Sequence, residues 1–354
     1  LSLCMIVKNE EENLGRCLAS ADGLFDEIIV TDTGSEDNTA AVAEAFGARV
    51  FGFEWCDDFS AARNFSFSQA TKSHIMWLDA DDVLTPAARD GLIALKATLD
   101  ADTDVVMLPY NAAFDDAGRP VFTYMRERIV RHGAGFVWRG AVHETIAVRG
   151  KVAYADFAVN HRKTHAPAPG RNLRIYRKML ERGEDFSPRD RLYFARELYY
   201  ASEYREAAQW LRRLIASGEG WIENRIEAYR TLSYILRAQN RPEKALRTLL
   251  LCVAEGSIKA ELCCEIAELF MERGDLRSAI FWYKSAVGLK SDASSGAFIN
   301  PDCSGYIPYM QLCVCFDRLG DAKTAKMYND MAGELKPESK AYLANKRYFE
   351  ELNV

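Results

Sequence analysis

Two aspartates two residues apart, Asp79 and Asp81, with Asp82 directly behind them, are the strongest chemical signal in this 354-residue chain. Carboxylates are hard oxygen donors, and a phosphate-bound Mg2+ or Mn2+ takes few ligands from protein and the rest from phosphate and water. The acids end the apolar run His74-Ile-Met-Trp-Leu78, so they stand where a buried strand opens into a loop. A plain structural task suits them too, since Asp-Asp before Thr85-Pro86 is a good helix cap. D-x-D alone occurs by chance in many proteins. A second strand-terminal acid, Asp32, lies 47 residues upstream and strengthens the chemical reading. Asp32 and Ser35 can equally build a turn, and Arg63 can be a surface charge.

The spacing of apolar residues predicts the elements that must hold these groups. Ser2–Val7, Glu27–Thr31, Ala48–Phe53 and His74–Leu78 read as strands, and Glu10–Ala21, Asn38–Phe46 and Ser60–Ala70 as helices. Strands alternating with helices imply a parallel sheet with helices on its faces. Ligands of such sheets sit at the carboxyl ends of the strands, where Asn9, Asp32, Asp79 and Asp81 all fall.

From about residue 188 the strand signals vanish and a helical repeat begins. Ala195, Leu198, Ala207, Leu211 and Leu214 recur in spacing as Ser233, Leu236, Ala245, Leu249 and Cys252. The pattern returns as Ala267, Phe270, Ala279, Tyr283 and Ala286, then more weakly as Cys313, Phe316, Ala325 and Ala332. The third positions lie 38, 34 and 46 residues apart, and 34 is the tetratricopeptide period. Pro337 sits where that repeat often ends, and the wide last step implies an insertion near Ser291–Ser304. Four helix pairs would form a curved solenoid whose concave face commonly binds peptide.

Composition excludes several classes. A net charge of -6 gives no general attraction to nucleic acid or anionic lipid, so a phosphorylated substrate needs a local cation or basic group. No apolar run is long enough to span a bilayer, no amphipathic basic helix is evident, and no cleavable signal is visible. The start at Leu1, without Met and inside an apolar run, suggests a trimmed N-terminus. Nine cysteines, mostly in apolar helical patterns, suit buried reduced thiols and a cytoplasmic location. Cys263-Cys264 and Cys313-x-Cys315 lack zinc spacing, and no histidine follows residue 165.

Four ordered stretches carry a resemblance: Cys4-Met-Ile-Val-Lys-Asn9-Glu-Glu, Ile29-Val-Thr-Asp32-Thr-Gly34-Ser35-Glu-Asp37-Asn-Thr39, Ser60-Ala-Ala-Arg63-Asn64 and Trp77-Leu-Asp79-Ala-Asp81-Asp82. Together they resemble the nucleotide-binding half of family 2 glycosyltransferases. The resemblance implies a GT-A, Rossmann-like α/β domain with a mixed sheet over residues 1–170, a helical connector over 171–187 and the tetratricopeptide-like domain over 188–354. It also implies a nucleoside diphosphate sugar, UDP-linked, as donor. By resemblance Val7, Asn9, Glu10, Asp32 and Gly34 would hold base and ribose, and Arg63 would approach the diphosphate. Asp79, Ala80 and Asp81 would line the donor site, with Asp81 ligating Mn2+ or Mg2+, Asp79 supporting it and Asp82 capping the next helix. Asp32 after Thr31 departs slightly from the commoner V-D-D-G-S form, which leaves the nucleotide base open.

The stretch Phe136-Val-Trp138-Arg-Gly140-Ala-Val-His143-Glu144 resembles the W-x-G-x-x-H-E segment of family 2 enzymes that carry tetratricopeptide repeats. Inverting transfer needs a base to take the acceptor's proton, and Glu144 is the candidate, with His143 orienting it or contacting phosphate. A strand with one buried histidine and an exposed acid is the structural alternative. His161, after an apolar strand, is preferred to His165 as a histidine completing the metal shell, by analogy with several GT-A enzymes. Trp138 suits either sugar stacking or core packing.

These features predict a metal-dependent, inverting hexosyltransferase whose repeat domain presents a peptide or protein acceptor. The alternatives are a catalytically silent peptide-binding scaffold, and an enzyme acting on a lipid or polysaccharide. No nucleic acid partner and no membrane span are expected.

Overall fold

The computed structural model describes residues 1–352 apart from 116–117, 163, 165–168, 257 and 290–299. His165 and most of the expected 291–304 insertion lie outside the described residues. The chain divides into two compact units, Leu1–Asp185 and Phe186–Val354.

In the first unit the order is β1 (Ser2–Val7), α1 (Glu11–Ser20), β2 (Glu27–Asp32), α2 (Thr39–Ala45), β3 (Arg49–Gly52), α3 (Phe59–Ser68) and β4 (His74–Trp77). Next come β5 (Asp82–Leu84), α4 (Pro86–Thr98), β6 (Val105–Phe114), β7 (Pro120–Arg131), β8 (Trp138–Arg139) and β9 (Thr145–Ile146). Strands β10 (Val152–Tyr154) and β11 (Val159–His161) and helix α5 (Arg171–Glu181) complete it.

The main sheet runs β3-β2-β1-β4-β7-β6-β11-β5, with β10 also paired to β6. Strands β3, β2, β1 and β4 are parallel, while β7 runs antiparallel to both β4 and β6. The sheet is therefore mixed. Its centre explains the unbroken apolar runs: β1 is covered on both faces, Leu3, Met5 and Val7 joining one core and Cys4 the other. Strand order reverses where the chain leaves β3 and returns to β4 on the far side of β1. Such a reversal opens a crevice at the carboxyl ends of β1 and β4, the place where open α/β sheets receive ligands.

Two local expectations need correction. Asp82 does not cap the helix after the acids: α4 is capped by Thr85, whose side chain accepts from Ala88 N, with Pro86 in the first turn. A basic amphipathic helix does exist, since α5 carries Arg171, Arg174, Arg177 and Lys178 while Ile175, Tyr176 and Met179 are buried. Its apolar side chains are already covered within the fold, and Lys178 pairs with Asp57 at 2.5 Å.

The second unit is helical: α6 (Pro188–Tyr200), α7 (Tyr204–Ser217), α8 (Ile222–Ala238), α9 (Pro242–Val253), α10 (Ala260–Glu272), α11 (Leu276–Ala286), α12 (Tyr306–Arg318), α13 (Ala322–Leu335) and α14 (Lys340–Glu351). Helices α6 to α13 pack as four antiparallel pairs. The repeating small residues are the contact points of those pairs: Ala195, Ala207, Ser233, Ala245, Ala267, Ala279, Cys313 and Ala325 are all buried. Each pair turns through a left-handed residue, Ser202, Asn240, Gly274 or Gly320. These are tetratricopeptide-like repeats. No described helix is long and apolar enough to cross a membrane.

Candidate active site

After β4 the chain doubles back on itself. Asp79 N donates to Asp82 Oδ2 at 2.9 Å and Asp82 N to Asp79 O at 3.0 Å. This tight turn sends the three carboxylates toward three different partners. Asp82 is wholly buried and pairs with Arg128 Nη1 at 2.9 Å. Arg128, on β7, is itself fully buried, with its guanidinium 3.8 Å from the Trp77 ring centre and 4.3 Å from that of Tyr110.

Asp81 meets His161 instead. Strand β11 runs antiparallel to β5 with His161 opposite Asp82, which carries the imidazole to the acids. His161 Nδ1 lies 3.3 Å from Asp81 Oδ1 and 3.7 Å from Asp82 Oδ1. At these distances the contact is electrostatic rather than a formed hydrogen bond. The two carboxylates, Asp81 foremost, raise His161 to about 9 against the opposing effect of burial. Ligand atoms of Asp81, Asp82 and His161 all lie within 4.8 Å of one another. Two carboxylates and an imidazole are a donor set that suits Mn2+ or Mg2+.

Asp79 stands outside that group. Arg63 Nη2 donates to Asp79 Oδ1 at 2.7 Å, and Arg63 Nε donates to Glu144 Oε1 at 2.6 Å. Burial works against ionisation of Asp79, but Arg63, then Arg128, holds it down to about 2. The Arg63 side chain is 9% exposed and sits between Trp77 and Trp138, 5.0 and 4.8 Å from their ring centres. Its neighbour Asn64 fixes the second segment: Asn64 Nδ2 donates to Trp138 O and Trp138 N to Asn64 Oδ1. The Arg63-Asn64 pair on α3 thus holds both the acid after β4 and the loop bearing Glu144. That loop bends through Gly140 and His143, both left-handed. Glu144 is 12% exposed and His143 half-buried, in a turn rather than a strand.

At the end of β1, Asn9 is left-handed; its N–H donates to Ser35 Oγ and its Oδ1 accepts from Glu36 N. Glu10 N donates to Thr39 Oγ1. Asp32, in register with Val7, accepts from Gly34 N and Ser35 N through Oδ1 alone. One of its oxygens therefore builds the turn that brings Ser35 and Glu36 to Asn9. Ala80 is buried between the acids.

Sequence reasoning did not find Arg128, Tyr110 or Arg126, whose guanidinium lies 4.8 Å from the Trp77 ring centre. A signal was present. Arg126-Glu127-Arg128 places three charges in a strand that continues as Ile129-Val130, and charges in a buried strand are kept only when paired.

Residues 2–145 match the family Glycosyl transferase family 2. A TPR repeat-containing protein of Synechococcus elongatus is 32% identical over 85% of this chain and 69% of its own length. The SPbeta prophage-derived glycosyltransferase SunS of Bacillus subtilis is 28% identical, over 67% of this chain and 58% of its own. The lipopolysaccharide core biosynthesis glycosyltransferase LpsC of Rhizobium meliloti is 30% identical over 44% of this chain and 60% of its own. The chain thus spans less than two thirds of both named glycosyltransferases.

Proposed function

The chain belongs to glycosyl transferase family 2, followed by tetratricopeptide-like repeats, and on that premise we propose that it moves a sugar from a UDP-linked donor to a peptide or protein acceptor, inverting the anomeric carbon. The observation that carries the metal-dependent reading is the convergence of Asp81, Asp82 and His161 directly after β4, beside the crevice between β1 and β4. Asp81 and His161 would hold Mn2+ or Mg2+ there, and the cation supplies charge neutralisation for a departing diphosphate. The turn after β1 and Asp32 take the base and ribose, with Asp79 and Ala80 toward the sugar.

Glu144 serves as the base. As the acceptor atom bonds to the anomeric carbon and the carbon–oxygen bond to diphosphate breaks, the acceptor's proton passes to a Glu144 oxygen. His143 orients that loop. Arg63, already bound to Glu144 and Asp79, fixes both carboxylates in place and approaches the diphosphate from the same side. The repeat unit presents the acceptor.

Mn2+-dependent hydrolysis of UDP-sugars by the full chain, lost in Asp81→Ala, is the expected result. A chain that neither hydrolyses nor binds any sugar nucleotide by calorimetry would be a peptide-binding scaffold. The likeness to a lipopolysaccharide-core enzyme favours a second acceptor reading, a saccharide or lipid-linked saccharide, which competition between peptide and oligosaccharide acceptors would resolve.

A further inference from the structure

We propose that Asp82 is an inner-sphere oxygen donor to the divalent cation, and that Arg128 is the positioning residue that aims it. The inference rests on the metal-dependent reading above and adds a third protein ligand to Asp81 and His161.

The two oxygens of Asp82 live in different surroundings. Oδ2 is fully engaged, accepting from Arg128 Nη1 and from Asp79 N, both at 2.9 Å. Oδ1 is buried and has no hydrogen-bond partner among the described residues, and it lies 3.7 Å from His161 Nδ1. A buried carboxylate oxygen left without a partner is costly, and such an atom is retained where something bound completes it. Oδ1 shares its space with one oxygen of Asp81 and a nitrogen of His161, within the reach of a single ion. Asp79 cannot play the same part, since its carboxylate is turned to Arg63.

Arg128 is built to prevent Asp82 from rotating. Its Nη1 also donates to Trp77 O at 3.2 Å, and the rings of Trp77 and Tyr110 leave the guanidinium no freedom to follow the carboxylate elsewhere. With Oδ2 locked to this fixed group, Oδ1 must face His161. An oriented outer partner of this kind commonly changes metal affinity by about 10–100-fold when removed.

Charge alone predicts the opposite sign. Arg128 is a cation close to a cation, so Coulomb repulsion would make its loss tighten metal binding. The two accounts separate in a Mn2+ titration of the full chain, read by electron paramagnetic resonance with and without UDP, on wild type, Asp81→Asn, Asp82→Asn, Arg128→Met and the double variant Asp82→Asn/Arg128→Met. The double variant removes both buried charges at once, so it tests the site where a single variant fails to fold. We expect Asp82→Asn, Arg128→Met and the double variant each to weaken Mn2+ by about tenfold or more. Mn2+ held by Arg128→Met as tightly as by wild type, or more tightly, overturns the inference, as does wild-type affinity in the double variant. If Asp81→Asn loses Mn2+ while the Asp82 and Arg128 variants keep it, this inference fails and the functional reading stands. If wild type binds no Mn2+ with or without UDP, both fail.

Discussion

Arg63 donates to Glu144 at 2.6 Å from Nε while its Nη2 reaches Asp79 at 2.7 Å, so one buried guanidinium joins the loop of the candidate base to the acid that ends β4. The two carboxylates face that guanidinium from different segments, and neither segment pairs with the other in the sheet. Their relative placement depends on this side chain.

Replacing Arg63 by Met removes the shared counter-charge and leaves two carboxylates unpaired, Glu144 largely buried and Asp79 partly so. Breaking a buried ion pair in this way costs about 3–5 kcal/mol. Arg63→Met should therefore lower the unfolding free energy extrapolated from urea titration by that amount, with a matching fall in midpoint, and adding Asp79→Asn should recover part of it. An unchanged midpoint would mean that the bridge contributes nothing to the fold.

Glu144→Gln separates binding from chemistry. The amide keeps the shape and one acceptor oxygen for Arg63 but cannot take up a proton, so transfer should fall by about 10²–10⁴-fold. Binding of UDP with Mn2+, followed by calorimetry, should stay within about threefold of wild type, because no metal donor has been altered. Equal loss of binding and turnover would remove Glu144 from the role of base.

The strands of this site were legible because β1 and β4 are covered on both faces, and continuous burial writes continuous apolar runs. The small residues of the repeat were legible for a related reason, since Ala207, Ala245 and Ala279 must allow two helices to approach. Asp82 was misread because an acid before Thr-Pro satisfies a local rule, while its true partner, Arg128, is 46 residues away. Nothing in local propensity announces a contact of that range. The long β6–β7 hairpin, which carries Arg126 and Arg128 to Trp77, escaped for the same reason: its register comes from pairing, with irregularities at Val106/Met107 and Asn111/Ala113.

Glu27 supplies a pH dependence away from the site. Burial pushes its carboxyl up, but hydrogen bonds from Ser2 Oγ and from Thr71 N and Oγ1 more than offset it and hold Glu27 at about 2. A carboxyl depressed by folding stabilises the native state above its ordinary value near 4.5, and that stability is lost as pH falls toward 2. Solvent screening at the edge of the unit reduces the effect to on the order of 1 kcal/mol. Unfolding free energies measured from pH 6 down to pH 2.5 should fall less steeply in Glu27→Gln than in wild type. Parallel curves would show that these bonds form equally well with a neutral group.

In the repeat unit, neighbouring pairs are joined by charge as well as by packing. Arg230 on α8 donates through Nε and Nη2 to Glu265 on α10, and Tyr234 donates to the same oxygen. Further along, Arg237 reaches Glu268 and Glu272, and Lys259 reaches back to Glu223. Each bond crosses from one helix pair to the next, where a solenoid's stability resides as a sum of nearest-neighbour terms. Arg230→Met would strand Glu265 in that interface while leaving the helices themselves intact. The expected outcome is a loss of about 2–4 kcal/mol at the α8–α10 boundary. Because the loss is confined to one boundary, it should reduce cooperativity: urea unfolding of the full chain, followed by helical circular dichroism, should broaden and show a lower slope than wild type. The double variant Arg230→Met/Glu265→Met should restore a sharp transition, since it removes the stranded charge and keeps the volume. A broad transition in the double variant as well would mean that the ion pair itself, rather than relief of the buried charge, couples the repeats.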